Sequence, residues 1–393
     1  MQSSFFKDLL LTSEAVGAGH PDKICDQIAD LILEEYLLWD KNARVACEVF
    51  AGDKVVFIGG EITSSHHVDV KEKAYEILRK YGYNCQKFEI ISRLRKQSQE
   101  LSVITGKYHH LNVSDQCITV GFASNETKQL MPIGFVLSQD LIREIDILRV
   151  KNPQIKHDMK SQVTVYYDEN GKVSIDNVLI SVQHGRNIDS VKLRELIVDK
   201  AINTVAKKYK FNTNFKKFVN PAGKFVLGGL RGDTGLTGRK VVVDTYGLYS
   251  RHGGGALSGK DPTKIDRTGS YYARWIAKHI VASGIADICE IQLGWRIGTN
   301  VPISISVDCF GTNKIEIKKV VNCVRFCFCL NFEEIIDKFC LLTCKYSQLS
   351  VYGHFGRDEE FFRWEKIDDS IIEKLRSLLD LKNVTKVKYM RKI

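Results

Sequence analysis

Arg251-His252-Gly253-Gly254-Gly255-Ala256-Leu257-Ser258-Gly259-Lys260-Asp261-Pro262-Thr263-Lys264-Ile265-Asp266-Arg267 packs glycines, two lysines and two aspartates into seventeen positions. Gly253, Gly254 and Gly255 let successive N–H groups face an anion with no Cβ in the way. Lys260 and Lys264 add mobile positive charge, and Asp266 offers a hard carboxylate to a divalent cation. The ligand these residue types suit is a magnesium-bound polyphosphate. Three glycines followed by a lysine also describe a flexible surface loop, and the spacing is not that of a P-loop.

A second cluster, Gly19-His20-Pro21-Asp22-Lys23, lies near the N-terminus. Pro21 suits the first turn of a helix that then carries apolar residues at Ile24, Ile28, Leu31, Ile32 and Tyr36. His20 and Asp22 therefore stand at a positive helix end, where an anion or its metal would bind, or where Asp22 would simply cap the helix.

Composition bounds the class. The chain has 393 residues, 44% of them hydrophobic, enough to bury a large core in two or three lobes. It has no apolar run of about eighteen residues, and Met1 to Asp8 lacks a basic segment leading into a cleavable apolar stretch, so a cytoplasmic protein with no membrane partner is expected. Eleven cysteines, an odd number, fit a reducing compartment. Cys323/Cys327 and Cys340/Cys344 fall at helical spacing among apolar residues with no Cys-x-x-Cys unit, which reads as buried thiols rather than a metal site. The net charge of +10 is spread along the chain. Only the tail Lys386 to Lys392 resembles a nucleic-acid-binding stretch, and it reads as a solvated end, so no nucleic-acid partner is expected.

Strand and helix signals alternate. Arg44–Phe50 and Val55–Ile62 read as a hairpin followed by a helix over Val68–Tyr81, and Gln162–Tyr167 and Val173–Gln183 as a second hairpin followed by a helix over Ser190–Lys208. Further helices are expected at Ser270–Ser283, Ile315–Leu330, Asn331–Cys344 and Ser370–Leu379, with strands at Ile288–Leu293 and Ile303–Phe310. Hairpins followed by helices predict an α+β fold with helices covering one face of each sheet.

With these clusters in view, the chain resembles the bacterial-type S-adenosylmethionine synthetases, or methionine adenosyltransferases. The likeness rests on six segments in the family's order: Gly19 to Lys23, Gly59 to Thr63, Lys160 to Thr164, Gly232 to Lys240, Gly253 to Asp266 and Tyr352 to Arg357. It runs from about Leu11 to Lys366. It implies three similar α+β lobes in a pseudo-threefold arrangement, each a mostly antiparallel sheet, here divided at 1–110, 111–235 and 236–393 with a mobile lid starting in 97–110. It also implies the reaction in which methionine sulfur displaces the whole triphosphate from C5′ of ATP, which is then cut to pyrophosphate and phosphate. A thioether has no proton to lose, so this chemistry asks for alignment and a cationic cradle and needs no activated nucleophile.

By the same resemblance, His20, Lys160, Arg239, Lys260 and Lys264 take catalytic positions. Asp158, Lys224, Phe225, Asp233, Lys240 and Ala256 join His20, Lys160, Arg239 and Lys260 around ATP, with Phe225 on the adenine. Glu61, Gln97, Asp115, Asp233, Lys264 and Ile297 match methionine contacts, Asp22 and Asp266 match ligands of Mg2+, two ions per site, and Glu48 matches the K+-associated carboxylate. The resemblance further implies a dimer or dimer of dimers with active sites between subunits. Taken singly, Glu48 and Glu61 also read as solvated strand residues, Asp158 and Lys160 as a strand opening, and Phe225 as core. Two other classes fit parts of the pattern: a magnesium-dependent kinase or ATPase, although a Walker or kinase catalytic-loop pattern is missing here, and a basic RNA-binding protein.

The chain departs from the family around the lid. Gln97-Ser98-Gln99-Glu100-Leu101 stands where Gln-Ser-Pro-Asp-Ile is usual, and Asn112-Val113-Ser114-Asp115-Gln116-Cys117 where Gly-x-Gly-Asp-Gln-Gly is usual; Leu257 replaces a usual Phe. Loss of a proline and three glycines changes the backbone angles open to the lid. Replacing Asp115 with Asn is expected to raise the methionine requirement more than the ATP requirement; steady-state kinetics with unchanged methionine dependence would take Asp115 off the site.

Overall fold

A computed structural model describes residues 6–106 and 110–379. Residues 107–109 of the expected lid and the basic tail after residue 379 lie outside the described residues.

The chain runs three times through a related order of elements. The first passage is β1 (Leu9–Val16), α1 (Pro21–Trp39), β2 (Arg44–Gly52), β3 (Val55–Thr63), α2 (Val70–Lys80), β4 (Glu89–Arg95) and α3 (Gln99–Thr105). The second is β5 (Cys117–Ser124), α4 (Ile133–Lys151), β6 (Ile155–Tyr167), β7 (Val173–His184), α5 (Ser190–Ile197), a π-helical turn, α6 (Asn203–Lys208) and β8 (Lys216–Val219). The third is β9 (Gly235–Leu236), α7 (Val241–Asp244), α8 (Ile265–Ala282), β10 (Ile288–Trp295), β11 (Ser304–Asp308), α9 (Ile317–Cys327), α10 (Phe332–Lys338) and α11 (Asp369–Leu378).

In each passage a strand precedes a long helix and a hairpin. The opening strand does not pair with its own hairpin. β1 pairs antiparallel with β6, β5 with β10, and β9 with β2. The three sheets, β1-β6-β7-β8, β11-β10-β5 and β4-β3-β2-β9, are thus linked in a ring in which every passage lends an edge to the next. Pairing is antiparallel except for β3 with β4 and β7 with β8. This is the α+β arrangement expected from the strand and helix pattern, with the three sheets that the family resemblance implied.

Each sheet carries one long helix on its inner face: α1 against β2, α4 against β6, and α8 against β5 and β10. Alternation decides which side is covered. Val45, Cys47, Val49 and Ala51 are buried while Glu48 and Phe50 point outward. Approach is closest at Gly121 of β5, where a Cβ would lie 1.9 Å from the Ala273 carbonyl carbon of α8, so no larger residue fits. Buried apolar residues from all three passages form one core, and among the described residues no helix is long and apolar enough to cross a membrane.

The last segment is locked onto α8 by polar contacts. Arg274, fully buried, donates to the carbonyls of Phe122, Gln129 and Leu130 and to both oxygens of Glu365, which also accepts from Lys278. His279 donates from Nδ1 to the Trp275 carbonyl at 2.7 Å and accepts the Asp368 N–H on Nε2 at 2.9 Å.

Several elements differ from the sequence expectation. The helix expected over Asn331–Cys344 stops at Lys338, because Cys340 adopts a left-handed conformation with φ 50°. Cys340 and Cys344 therefore do not share a helix, whereas Cys323 and Cys327 do lie on α9. All eleven cysteines are free. The helix expected over Ser190–Lys208 is interrupted by the π turn Val198–Ile202.

Burial lowers the His279 pKa from 6.5 to about 3, against the upward pull of its bond to the Trp275 carbonyl. The unfolded chain therefore takes up the proton first, and this residue's contribution is lost as pH falls from about 6.5 toward 3. In urea titrations, the stability advantage of the native protein over His279→Gln should shrink by about 1 kcal/mol per pH unit across that window.

Candidate active site

α1 organises the site through carboxylates at positions i, i+4 and i+8, which share one helix face. Asp22 accepts the Leu236 N–H at 3.0 Å, Asp26 the Gly238 N–H at 2.9 Å, and Asp30 the Gly259 N–H at 2.8 Å. All three are buried, and each also meets a cation. Lys240 and Arg239 face Asp22, Lys23 lies between Asp26 and Asp244 at 2.9 and 2.6 Å, and Arg267 donates to both oxygens of Asp30 at 2.9 Å. Unpaired, such buried charges would cost several kcal/mol each. Burial alone would raise the Asp22 pKa, but hydrogen bonds from Lys240 and Leu236 and the charge of Lys240 hold it below the usual value. Burial lifts Asp30 to about 6 despite Arg267, which leaves it ionised at neutral pH.

His20 is the N-cap of α1, and its Nδ1 accepts the Asp22 N–H at 3.2 Å. Accepting on Nδ1 places the neutral ring's proton on Nε2. Burial and the charges of Lys240 and Lys160 depress its pKa to about 3, so the ring is a neutral donor across physiological pH.

His20 opens onto a cavity of about 490 Å³ that brings together Asp158, Lys160, Lys224, Phe225 and Asp233. β6 supplies Asp158 and Lys160 from its interior, not its start. Asp158 accepts the Gly229 N–H at 2.7 Å, and burial raises its pKa. Phe225 is half-buried on the cavity wall, with its N–H given to His184 Nε2 at 3.1 Å and its carbonyl accepting the His184 N–H at 2.9 Å, so it is not a core residue. Lys224 and Asp233 are exposed.

The segment from Arg251 leads into α8 and meets α1 where the Gly259 N–H bonds Asp30. Lys260 bridges to Ala46 of β2 and donates to Asp266 at 2.6 Å. Lys264 caps α8 and lies 3.7 Å from Asp261. Gly255 packs against Asp266, and a Cβ there would lie 1.9 Å from its Oδ1; Ala256 lies against Gly238. The Gly254 N–H is given to His252 Nδ1 at 2.8 Å. Among the described residues no three His, Cys, Asp or Glu side chains converge as a metal site. Mg2+ carried by a polyphosphate needs only one or two protein carboxylates, and Asp22 and Asp266 fit that demand.

Glu48 and Glu61 stand elsewhere, on the outer face of β2 and β3, in a shallow cavity of about 650 Å³ that shares no lining residue with the first. Glu61 pairs with Arg95 at 2.8 Å. Phe50 and Phe57, directly paired across the hairpin, are exposed on the same face. Gln97 is buried, and neither its Oε1 nor its Nε2 has a partner. Asp115 and Ile297 are exposed on neighbouring loops joined by Gly298 N–H to Val113 O at 3.0 Å.

Three family-level descriptions match successive parts of the chain: S-adenosylmethionine synthetase N-terminal domain over residues 8–99, central domain over 110–225 and C-terminal domain over 227–366. The chain belongs to the S-adenosylmethionine synthetase family. It is 48% identical over 373 residues to the S-adenosylmethionine synthase of Mycoplasma genitalium, covering 93% of this chain and 95% of that one. It is 46% identical over 362 residues to that of Mycoplasmopsis pulmonis, covering 91% and 96%, and 43% identical over 369 residues to that of Mesoplasma florum, covering 91% and 97%.

The departures from the synthetase pattern have physical substitutes. Gln99 begins α3 where the family's proline would, behind Ser98, whose Oγ accepts the Leu101 N–H at 3.3 Å. The side chains standing for the three glycines all make tethers: Asn112 to the Ile104 carbonyl, Ser114 to the Thr263 carbonyl and Cys117 to Asp266. Sequence reading missed Lys23, Asp26, Asp30, Asp244 and Arg267. The i, i+4, i+8 aspartates were a readable signal, since three carboxylates on one face of a helix rich in apolar residues ask for buried partners. Removing one shows its weight: Asp30→Ala strands the fully buried Arg267 and should lower the unfolding free energy by about 3–5 kcal/mol in chemical denaturation.

Proposed function

We propose that this chain makes S-adenosylmethionine from ATP and L-methionine. The methionine sulfur uses a lone pair to form a bond to C5′ while the C5′–O bond breaks, its electrons leaving with the intact triphosphate; water then cleaves that triphosphate to pyrophosphate and phosphate. The observation that carries this reading is the cavity in which a neutral donor, His20, stands with Lys160 and Lys224 beside an aromatic wall, Phe225. It holds an aromatic wall and phosphate-seeking charge together, and no serine or cysteine in it is paired with a base.

Phe225 would stack on adenine, and Asp158 or Asp233 would accept from the ribose hydroxyls. His20 would donate through Nε2 to the oxygen that leaves C5′, and because the ring starts neutral its proton need not first be gained from solvent. Lys160, Arg239, Lys240, Lys260 and Lys264 would receive the negative charge that grows on the departing chain. Bound Mg2+, held by Asp22 and Asp266, would supply further charge neutralisation to the triphosphate. Glu48 is an exposed carboxylate that shares its cavity with Glu61, so a K+ ion at it would draw further oxygens from Glu61, from water or from a second subunit.

Methionine would lie against Glu61, Gln97, Asp115 and Ile297. The separation of the Glu48/Glu61 face from the His20 cavity, with exposed Phe50 and Phe57 beside the former, supports a site completed across a dimer, itself able to pair into a tetramer.

Incubation with ATP, methionine, Mg2+ and K+ should yield a sulfonium product together with pyrophosphate and phosphate, read by mass spectrometry. ATP consumed without methionine dependence would favour a plain ATPase and overturn the reading. Light scattering should return a dimer or larger, and an active monomer would refute the shared site.

A further inference from the structure

Both carboxylates suited to a divalent cation are covered by lysines suited to phosphate, and the arrangement occurs in two separate parts of the chain. Lys240 Nζ pairs with Asp22 Oδ2, with Arg239 Nε 3.5 Å from Oδ1. Lys260 Nζ lies 2.6 Å from Asp266 Oδ2, and the Cys117 thiol donates to Oδ1 at 3.0 Å. In each pair the anion is anchored and the cation is not. Asp22 is buried and fixed by a backbone N–H, and Asp266 sits in the first turn of α8 against Gly255. The lysine side chains, at 18% and 21% exposure, reach the carboxylates from the open side on flexible stems.

Resting on the function proposed above, we propose that Lys240 and Lys260 are placeholders, which neutralise Asp22 and Asp266 in the free protein and exchange them for the triphosphate when nucleotide and divalent cation arrive together. A divalent cation arriving alone must displace an ammonium group from the carboxylate that neutralises it. A polyphosphate arriving alone must draw a lysine off a carboxylate that is then left bare in a poorly solvated place. Either half-step forms one new pair but leaves one charge, ammonium or carboxylate, without a partner, which is strongly unfavourable at the buried Asp22 and less so at the part-buried Asp266. When both arrive, each lysine finds a phosphoryl oxygen and each aspartate finds the cation, so the number of opposite-charge contacts is kept. The two ligands are therefore coupled through the protein as well as through their own attraction in water, and the coupling is reciprocal. It also keeps unaccompanied phosphate compounds and free metal from settling in the site.

The test uses the full-length protein and two separate probes, Mn2+ followed by electron paramagnetic resonance and tripolyphosphate followed by calorimetry. Lys240→Met should bind Mn2+ alone about tenfold or more tightly than the native protein, and tripolyphosphate alone about tenfold or more weakly, which is within the usual range of coupling between sites. Lys260→Met should show the same crossed pattern at the second carboxylate, so one poorly folded variant does not decide the matter. Lys240→Arg keeps the cation and should keep the native Mn2+ affinity. The exchange is overturned if neither methionine variant holds Mn2+ more tightly than the native protein. If the native protein fails to bind tripolyphosphate even with Mn2+ present, the functional reading falls, and this proposal with it.

Discussion

The hydrogen bonds from Leu236, Gly238 and Gly259 to the aspartates of α1 are the contact on which the cationic site depends. α1 belongs to the first passage of the chain, while Arg239, Lys240, Lys260, Lys264 and Asp266 belong to the third. β9 and the bridge of Lys260 to Ala46 bring those segments to the edge of β2. The rigid row of carboxylates then fixes them against α1, by taking backbone donors from two segments rich in glycine. A helix face that would ordinarily be apolar or solvated is instead buried and charged, and every charge on it is matched. The stability gained from such pairs is small once desolvation is counted, whereas the geometry they impose is strict. That trade suits a site whose task is to present fixed cations rather than to activate a nucleophile.

Around that row, the remaining chemistry is placed by the sheets. β6 presents Asp158 and Lys160 to the cavity, and the stretch after β8 folds back to bring Lys224 and Phe225 to its rim. Burial then sets protonation: His20 is kept neutral by desolvation and by the lysines that surround it, and the Asp22 N–H on Nδ1 leaves the ring's proton on its outer nitrogen.

How much of this was legible in the sequence depended on range. The hairpin at Ala51 to Lys54 and the helix starting at Pro21 follow from local rules, turn residues and a proline in the first turn, and both stand where expected. The stop at Lys338 was hidden because a cysteine, not a glycine, takes the left-handed position at 340. The ring of borrowed strands was invisible for a different reason: β1, β5 and β9 all pair with hairpins more than a hundred residues away along the chain, and no periodicity encodes a partner. His20, Lys160, Phe225 and Asp233 could be named from motifs and do line one cavity, but the motifs were silent on Asp26 and Asp30, whose roles appear only once loops from the far end of the chain lie against them.

The ring of lent strands also bears on how the molecule is made. As the chain leaves the ribosome, β1 has no partner until β6 has emerged, β5 waits for β10, and the edge of β2 stays open until β9 arrives. No third of the chain can complete its own sheet, so nascent segments hold unsatisfied edges for most of synthesis, a period in which they are open to pairing with other chains. A passage expressed by itself would be an unfinished object rather than a small domain, and the ring closes only once β10 has emerged.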